Sequence, residues 1–285
     1  MKWLILGALL FLQGCSSNYF LYSPNDKIVF SKDDFSHPVK DSFIRSRSGN
    51  TLHLQHHLSD NPQGLVIHFH GNRGNLSQTV EKVVWLVDEG YDVMLVDYSG
   101  YGLSNGKPTR ENLALDAQTV FEISHGLAHQ HKVIVATSMG GAIALDGLAK
   151  SKLERYFDLL VIDSSFESYQ NLARDVVANV PIAKWFSSRI PALVSDERSP
   201  ASNIKQIVNI DTIIAHCNDD RLIPITRGKA LYQVAGNNSQ FWQFNGCRHA
   251  RTFTDEFPNN QQRLLAHIRK NRGASLVASN TLTSP

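Results

Sequence analysis

The run Val133-Ile134-Val135-Ala136-Thr137-Ser138-Met139-Gly140-Gly141-Ala142-Ile143-Ala144-Leu145 decides how this chain folds. Its first half is β-branched and apolar, which reads as a buried strand. Its second half is small and helix-forming, which reads as a helix that starts at once. A serine stands at the junction. A strand that turns into a helix this abruptly pushes the serine oxygen clear of the backbone, the layout of a nucleophile elbow. Ala136 and Gly140, two positions before and after the serine, are small enough to let strand and helix approach closely. The usual pattern has glycine at both places, so Ala136 departs from it by one methyl group. Alone, so short a motif also fits an ordinary strand–loop–helix unit with an unremarkable serine.

Working outward, strand-like and helix-like runs alternate on both sides of this stretch. Ser42–Ser46 and Thr51–Leu58 flank Ser48-Gly49-Asn50 and read as a hairpin. Strands are expected at Leu65–His70, Tyr91–Val96, Lys132–Thr137, Leu159–Asp163, Asp211–His216 and Gln240–Phe244. Helices are expected at Leu76–Glu89, Glu111–Ile123, Gly140–Lys150, Thr226–Val234 and Asn260–Arg269. This alternation specifies an α/β fold, a mostly parallel sheet with helices on both faces. Residues 164–204 are too long for a plain connection. They carry Tyr169, Val176, Val177, Val180, Ile182, Trp185, Phe186, Ile190 and Leu193, broken by Pro181, Pro191 and Pro200. They read as a small helical cap over the C-terminal edge of the sheet, or as helices packed on the sheet. Residues 272–285 lack periodicity and are expected to form a mobile tail.

The composition agrees with a folded enzyme-sized domain. The chain has 285 residues, 42% of them hydrophobic, and a net charge of +2 with no long run of one sign. That leaves no electrostatic footprint for nucleic acid. The N-terminus differs in character. Lys2 precedes the short apolar stretch Trp3–Leu12, which is too short for the ~20 residues of a membrane span and reads as a signal-peptide core. Leu12-Gln13-Gly14-Cys15 follows, and resembles a bacterial lipoprotein box. The resemblance implies cleavage after residue 14 and lipid attached to Cys15. Residues 15–40 would then be a tether and 41–271 the catalytic domain. Ser16 after the cysteine is similar to the signal of proteins sent to the outer membrane, so an anchored, periplasm-facing protein is expected.

A nucleophilic serine needs a base to take its proton and an acid to orient that base. Two later strand ends carry such residues. His216-Cys217-Asn218-Asp219-Asp220-Arg221-Leu222-Ile223-Pro224 follows one strand, and Asn245-Gly246-Cys247-Arg248-His249-Ala250 follows the next. Ser138, an aspartate and His249 thus come in the order Ser, Asp, His at three strand ends. Among the histidines, His249 is singled out by its place after a strand and a glycine turn. His53, His56, His57, His125, His129, His131 and His267 read as ordinary solvated residues. His68 and His70 alternate in a strand with no obvious third metal ligand. Three aspartates are open as the acid: Asp220, its neighbour Asp219, and Asp163 at an earlier strand end.

The motif His-x-x-x-Asp-x-x-Ile-Pro resembles the acid loop of the α/β-hydrolase superfamily and aligns on Asp220, with Cys217 where glycine is usual. Asp97-Tyr98-Ser99-Gly100-Tyr101-Gly102-Leu103-Ser104-Asn105-Gly106 is similar to a loop found before the elbow in one branch of that superfamily. The branch includes acyl-protein depalmitoylases, and Ser99 stands where it usually has arginine. The resemblance covers about residues 40–270. It implies a serine hydrolase that works through an acyl-enzyme, with carboxylic esters or thioesters as substrates and no metal or cofactor. The oxyanion donors would be the backbone N–H of Met139 and that of Asn72, in the loop His70-Gly71-Asn72-Arg73-Gly74-Asn75. A peptidase or amidase would use the same triad. A non-catalytic envelope lipoprotein that binds a partner is the competing class. Finally, Cys217 and Cys247 end consecutive strands. Parallel neighbours lie ~4.8 Å apart, within disulfide reach, so the pair is expected either to clamp the acid loop to the histidine loop or to stay as two buried thiols.

Overall fold

The computed structural model describes residues 22–178 and 194–272 in full and the backbone of 273–282. Its strands in chain order are β1 (Ser23–Pro24), β2 (Val39–Arg45), β3 (Thr51–His57), β4 (Leu65–Phe69), β5 (Arg73–Gly74), β6 (Asp92–Val96), β7 (Lys132–Thr137), β8 (Leu159–Asp163), β9 (Asp211–Cys217) and β10 (Ser239–Phe244). The α-helices are α1 (Leu76–Thr79), α2 (Arg110–Gly126), α3 (Met139–Ser151), α4 (Tyr169–Ala178), α5 (Pro200–Ile204), α6 (Ile225–Val234) and α7 (Pro258–Leu282).

Eight strands form one sheet in the order β10-β9-β8-β7-β4-β6-β3-β2. The six from β10 to β6 are parallel, while β3 runs antiparallel to β6 and β2 antiparallel to β3. Every residue of β4, β6, β7 and β8 is buried. That is what a parallel sheet covered on both faces requires, and it is why these strands read as near-continuous apolar runs. Successive side chains divide between two cores. Ile67, Phe69, Ile134, Ala136, Leu160 and Ile162 pack with Leu113, Ala117, Leu145 and Leu148 of α2 and α3. Val66, Val133, Val135, Leu159 and Val161 pack with Val80, Leu86, Leu264 and Ile268 on the other face.

Three expectations are corrected. The helix expected over residues 76–89 is real only as far as Thr79; two 3-10 turns, Val80–Lys82 and Val84–Leu86, replace the rest. Val80, Val83, Val84 and Val87 face the core as their spacing requires, but four β-branched residues in eight disfavour a regular helix. The closing helix does not stop at Arg269: α7 continues through the expected tail as far as Leu282, since Gly273 weakens a helix without ending it and Ala274, Leu276 and Ala278 favour one. Third, His53, His57 and His131 are buried rather than solvated. His53 Nε2 meets Asp41, the two nitrogens of His57 meet His37 and Gln55, and His131 Nδ1 meets Asp158.

In the expected cap, α4 buries Tyr169 and Leu172. Asp196 accepts the Tyr169 N–H at 2.7 Å, and the Arg110 guanidinium lies 3.9 Å from the Tyr169 ring centroid. The cap residues Val180, Pro181, Ile182, Trp185, Phe186, Ile190, Pro191 and Leu193 lie outside the described residues, as do the expected signal peptide, Cys15, Ser16 and the last three residues. Among the described residues no helix is long and apolar enough to cross a membrane.

Candidate active site

Ser138 ends β7 and opens α3 with φ 56° and ψ −119°, a left-handed turn that an ordinary strand-to-helix connection does not need. Two bonds hold it: its N–H donates to Asp163 O at 2.7 Å and its carbonyl accepts from Ser165 Oγ at 2.9 Å. Gly140 explains the small-residue rule of the elbow. A Cβ there would collide with Phe69 O and lie 2.6 Å from His70 O, so α3 can leave β7 this steeply only past β4 with no side chain at this position. Ala136 points into the core instead, fully buried, where a methyl group fits.

Asp220 lies in the loop after β9. Its Oδ1 accepts the N–H groups of Leu222 and Ile223, both at 2.9 Å. Its Oδ2 faces His249 Nδ1 at 2.7 Å and His216 Nε2 at 3.4 Å. Although burial opposes the charged form, these donors together hold the carboxyl far below the usual carboxylate range. On the other side of the ring, His249 Nε2 lies 2.9 Å from Ser138 Oγ. With Nδ1–H donating to Asp220, Nε2 is the acceptor for the serine proton. Strand ends β7, β9 and β10 thus bring Ser138, Asp220 and His249 into one hydrogen-bonded line.

The other two aspartates do different work. Asp219 Oδ2 accepts the Gly246 N–H at 2.6 Å, so it ties the acid loop to the histidine loop rather than reaching solvent alone. Asp163 is buried and its Oδ1 accepts from Thr252 Oγ1 at 2.7 Å and Ser164 Oγ at 2.9 Å. Ser164 Oγ in turn accepts the N–H of Ala250 at 3.1 Å, and Lys82 Nζ donates to the Ala250 carbonyl. Burial raises the Asp163 pKa. Asp163, Ser164, Thr252 and Lys82 therefore anchor the residues just after His249, a role sequence spacing did not reveal. His216 was visible in the acid-loop motif, four residues before Asp220, but as a motif letter and not as a second donor.

Cys217 and Cys247 are joined by a disulfide with Cα atoms 5.8 Å apart. Both are fully buried, and Cys217 is in register with Phe244 across β9 and β10. Met139 stands at the first position of α3, and its N–H has no intrahelical partner there. Across from it a Cβ on Gly71 would fall 4.0 Å from Ser138 Oγ, which puts the Gly71–Asn72 backbone at the nucleophile's edge. The Asp97 loop is architectural. Asp97 Oδ1 accepts the Leu76 N–H at 2.7 Å, Ser104 Oγ donates to Asp97 O at 2.7 Å, and Ser99 takes up Asp116 and Asn50 where the branch has arginine. His68 bonds Thr137 Oγ1 at 3.2 Å and His70 bonds Gly71 O at 2.7 Å.

A sheet of this strand order, with a serine elbow after β7 and an aspartate and a histidine after β9 and β10, defines an α/β-hydrolase. The chain belongs to the family described as "Serine aminopeptidase, S33", whose model matches residues 60–202. It is 27% identical over 249 residues to the uncharacterized protein YfhR of Escherichia coli K12, covering 83% of this chain and 81% of that one. It is 27% identical over 187 residues to the lysophosphatidylserine lipase ABHD12 of Gallus gallus, covering 62% of this chain and 49% of that one. The Pyrococcus furiosus esterase Pf2001 shares the fold with a TM-score of 0.71 at 19% identity, over 88% of this chain and 97% of the esterase.

Proposed function

We propose that this hydrolase cleaves carboxylic esters or thioesters through an acyl-enzyme on Ser138. The observation that carries the reading is the line Asp220 Oδ2–His249–Ser138 Oγ, with separations of 2.7 and 2.9 Å. Ser138 Oγ attacks the carbonyl carbon while His249 Nε2 takes its proton, and the ionised Asp220 stabilises the imidazolium that forms. The N–H groups of Met139 and Asn72 receive the oxyanion, each contributing about 10²–10³ in rate. Collapse of the tetrahedral intermediate expels the alkoxide or thiolate, which takes the proton from His249. Water then repeats the sequence against the acyl-enzyme and frees Ser138 and the acid.

Esters and thioesters are favoured over amides because a named esterase and a named lipase are among the similar proteins. The family description names an aminopeptidase, so the test includes that substrate. A p-nitrophenyl ester series from two to sixteen carbons (on the order of a lipid chain) should show turnover with an optimum, with little on aminoacyl p-nitroanilides. Faster nitroanilide turnover would overturn the ester reading.

The N-terminal reading belongs to the same proposal. Lipid on Cys15 would hold the protein at the outer membrane, since each buried CH₂ contributes ~0.8 kcal/mol. Tyr22 lies seven residues beyond Cys15. A fully extended run of that length reaches at most about 25 Å, so Tyr22 would stay within that distance of the bilayer. The apolar side chains Ile28, Val29 and Phe30, all exposed, suit such a surface. Full-length protein expressed in a diderm host should partition into detergent and yield a lipid-modified Cys15 peptide. A Cys15→Ser variant that partitions equally would contradict the anchor.

A further inference from the structure

The loop that carries the second oxyanion donor is held from outside the sheet. β1 pairs in parallel with β5, Ser23 opposite Arg73. The Ser23 N–H donates to Asn72 Oδ1 at 3.0 Å, and Tyr101 OH donates to the same oxygen at 3.0 Å. One turn further on, Asn75 Nδ2 donates to the carbonyls of Asn25 and Lys27, both at 3.0 Å. The Val29 N–H donates to Ser77 Oγ at 3.0 Å. Tyr22, only 5% exposed, anchors the start of this segment in the core beside Tyr101 and Tyr169. The chain from Tyr22 to Val29 is therefore stitched along residues 72–77 before it enters the sheet at Val39.

On another loop such a segment would be packing. Here it grips Asn72, whose neighbour Gly71 borders Ser138 Oγ. With its side-chain oxygen held by two donors from different parts of the chain, Asn72 loses the freedom to turn its backbone. We propose that Tyr22–Val29 is a strap that positions the oxyanion hole, with the Ser23 N–H acting through the Asn72 side chain to aim the Asn72 N–H. The inference rests on the proposed role of that N–H. It makes the Tyr22–Val29 segment a support of the active site, and Ser23 a positioning residue that acts through Asn72. Donor placement is worth this much because a displacement of about 1 Å at a reacting centre can cost 10²-fold in rate.

The full chain tests it. Ser23→Pro removes the N–H, whereas Ser23→Ala keeps it. Three quantities are measured for each variant: kcat and KM on p-nitrophenyl butyrate, the inhibition constant of a trifluoromethyl ketone, and the melting temperature. The expected result for Ser23→Pro is a kcat lower by about 10- to 100-fold, KM within twofold, and ketone affinity reduced in step with kcat. The alanine variant should keep the wild-type rate. Asn72→Ala, which removes the shared acceptor and keeps the backbone N–H, should lower kcat similarly and covers the case in which the proline variant does not fold. If Ser23→Pro lowers only the melting temperature, or if Asn72→Ala keeps full kcat, the strap is packing and the proposal is overturned. If wild type neither turns over esters nor binds the ketone, the functional reading falls and the inference with it.

Discussion

Ser138 sits in a conformation that serine rarely adopts. Its φ of 56° and ψ of −119° cost on the order of 1–3 kcal/mol, a strain that survives only where the surroundings over-determine it. The bonds from its N–H and to its carbonyl supply that constraint. Glycine has no such penalty. Ser138→Gly should therefore raise stability in urea by about 1 kcal/mol while abolishing turnover; a loss of stability would mean the elbow is not strained. Asp220→Asn should leave the fold intact and lower kcat by roughly 10⁴-fold, the loss typical when the orienting acid of such a triad becomes an amide. Asp163→Asn keeps an acceptor for Thr252 and should cost less than about tenfold. If the two results were exchanged, the acid would be Asp163. Asp220 also gives stability a pH dependence. Its pKa is depressed on folding, so its stabilising contribution is complete above about pH 4, where the unfolded carboxyl is already ionised, and is lost as pH falls below that. Melting temperature should drop on acidification, and less steeply in Asp220→Asn.

At the scale of elements, two contacts shape the site. Gly140 lets α3 pass β4, and Gly140→Ala should destabilise by about 3 kcal/mol because the blocking atoms are backbone carbonyls. Gly71→Ala meets only ordinary contacts at 3.4 Å or more, so it should leave stability nearly unchanged while crowding Ser138 and lowering kcat. The Cys217–Cys247 bridge closes a loop of sequence separation 30 and should contribute about 3–4 kcal/mol by chain entropy. Thiol titration of unfolded, unreduced protein should find neither cysteine free. These elements also mark what the sequence could reveal. Five of the six parallel strands, those at 65, 91, 132, 159 and 211, were legible to within a residue or so, because burial on both faces leaves unbroken apolar runs. The helix after β4 was not, because its spacing is helical while its β-branched composition is not. The extension of α7 was missed for lack of an amphipathic period.

For the whole molecule, the triad was legible because each member follows a strand and carries its own local signature. The partners that hold it were not. Lys82, Asp163 and Ser23 reach the site from positions far away in the chain, and Thr252, close to His249, is bound to one of them; no local pattern reports a contact that only the packed fold creates. The histidines show the same limit. His53 and His57 sit in an exposed-looking, polar stretch, yet the sheet edge buries them against Asp41, His37 and Gln55. The molecule as a whole is thus a hydrolase scaffold organised around one oxygen, Ser138 Oγ. A fluorophosphonate probe reads that directly, since it labels only a serine activated by its base. The account predicts covalent labelling of folded wild type at Ser138, none in Ser138→Ala, and strong suppression in His249→Ala. A folded wild-type protein that stays unlabelled, or one labelled equally in Ser138→Ala, would contradict it.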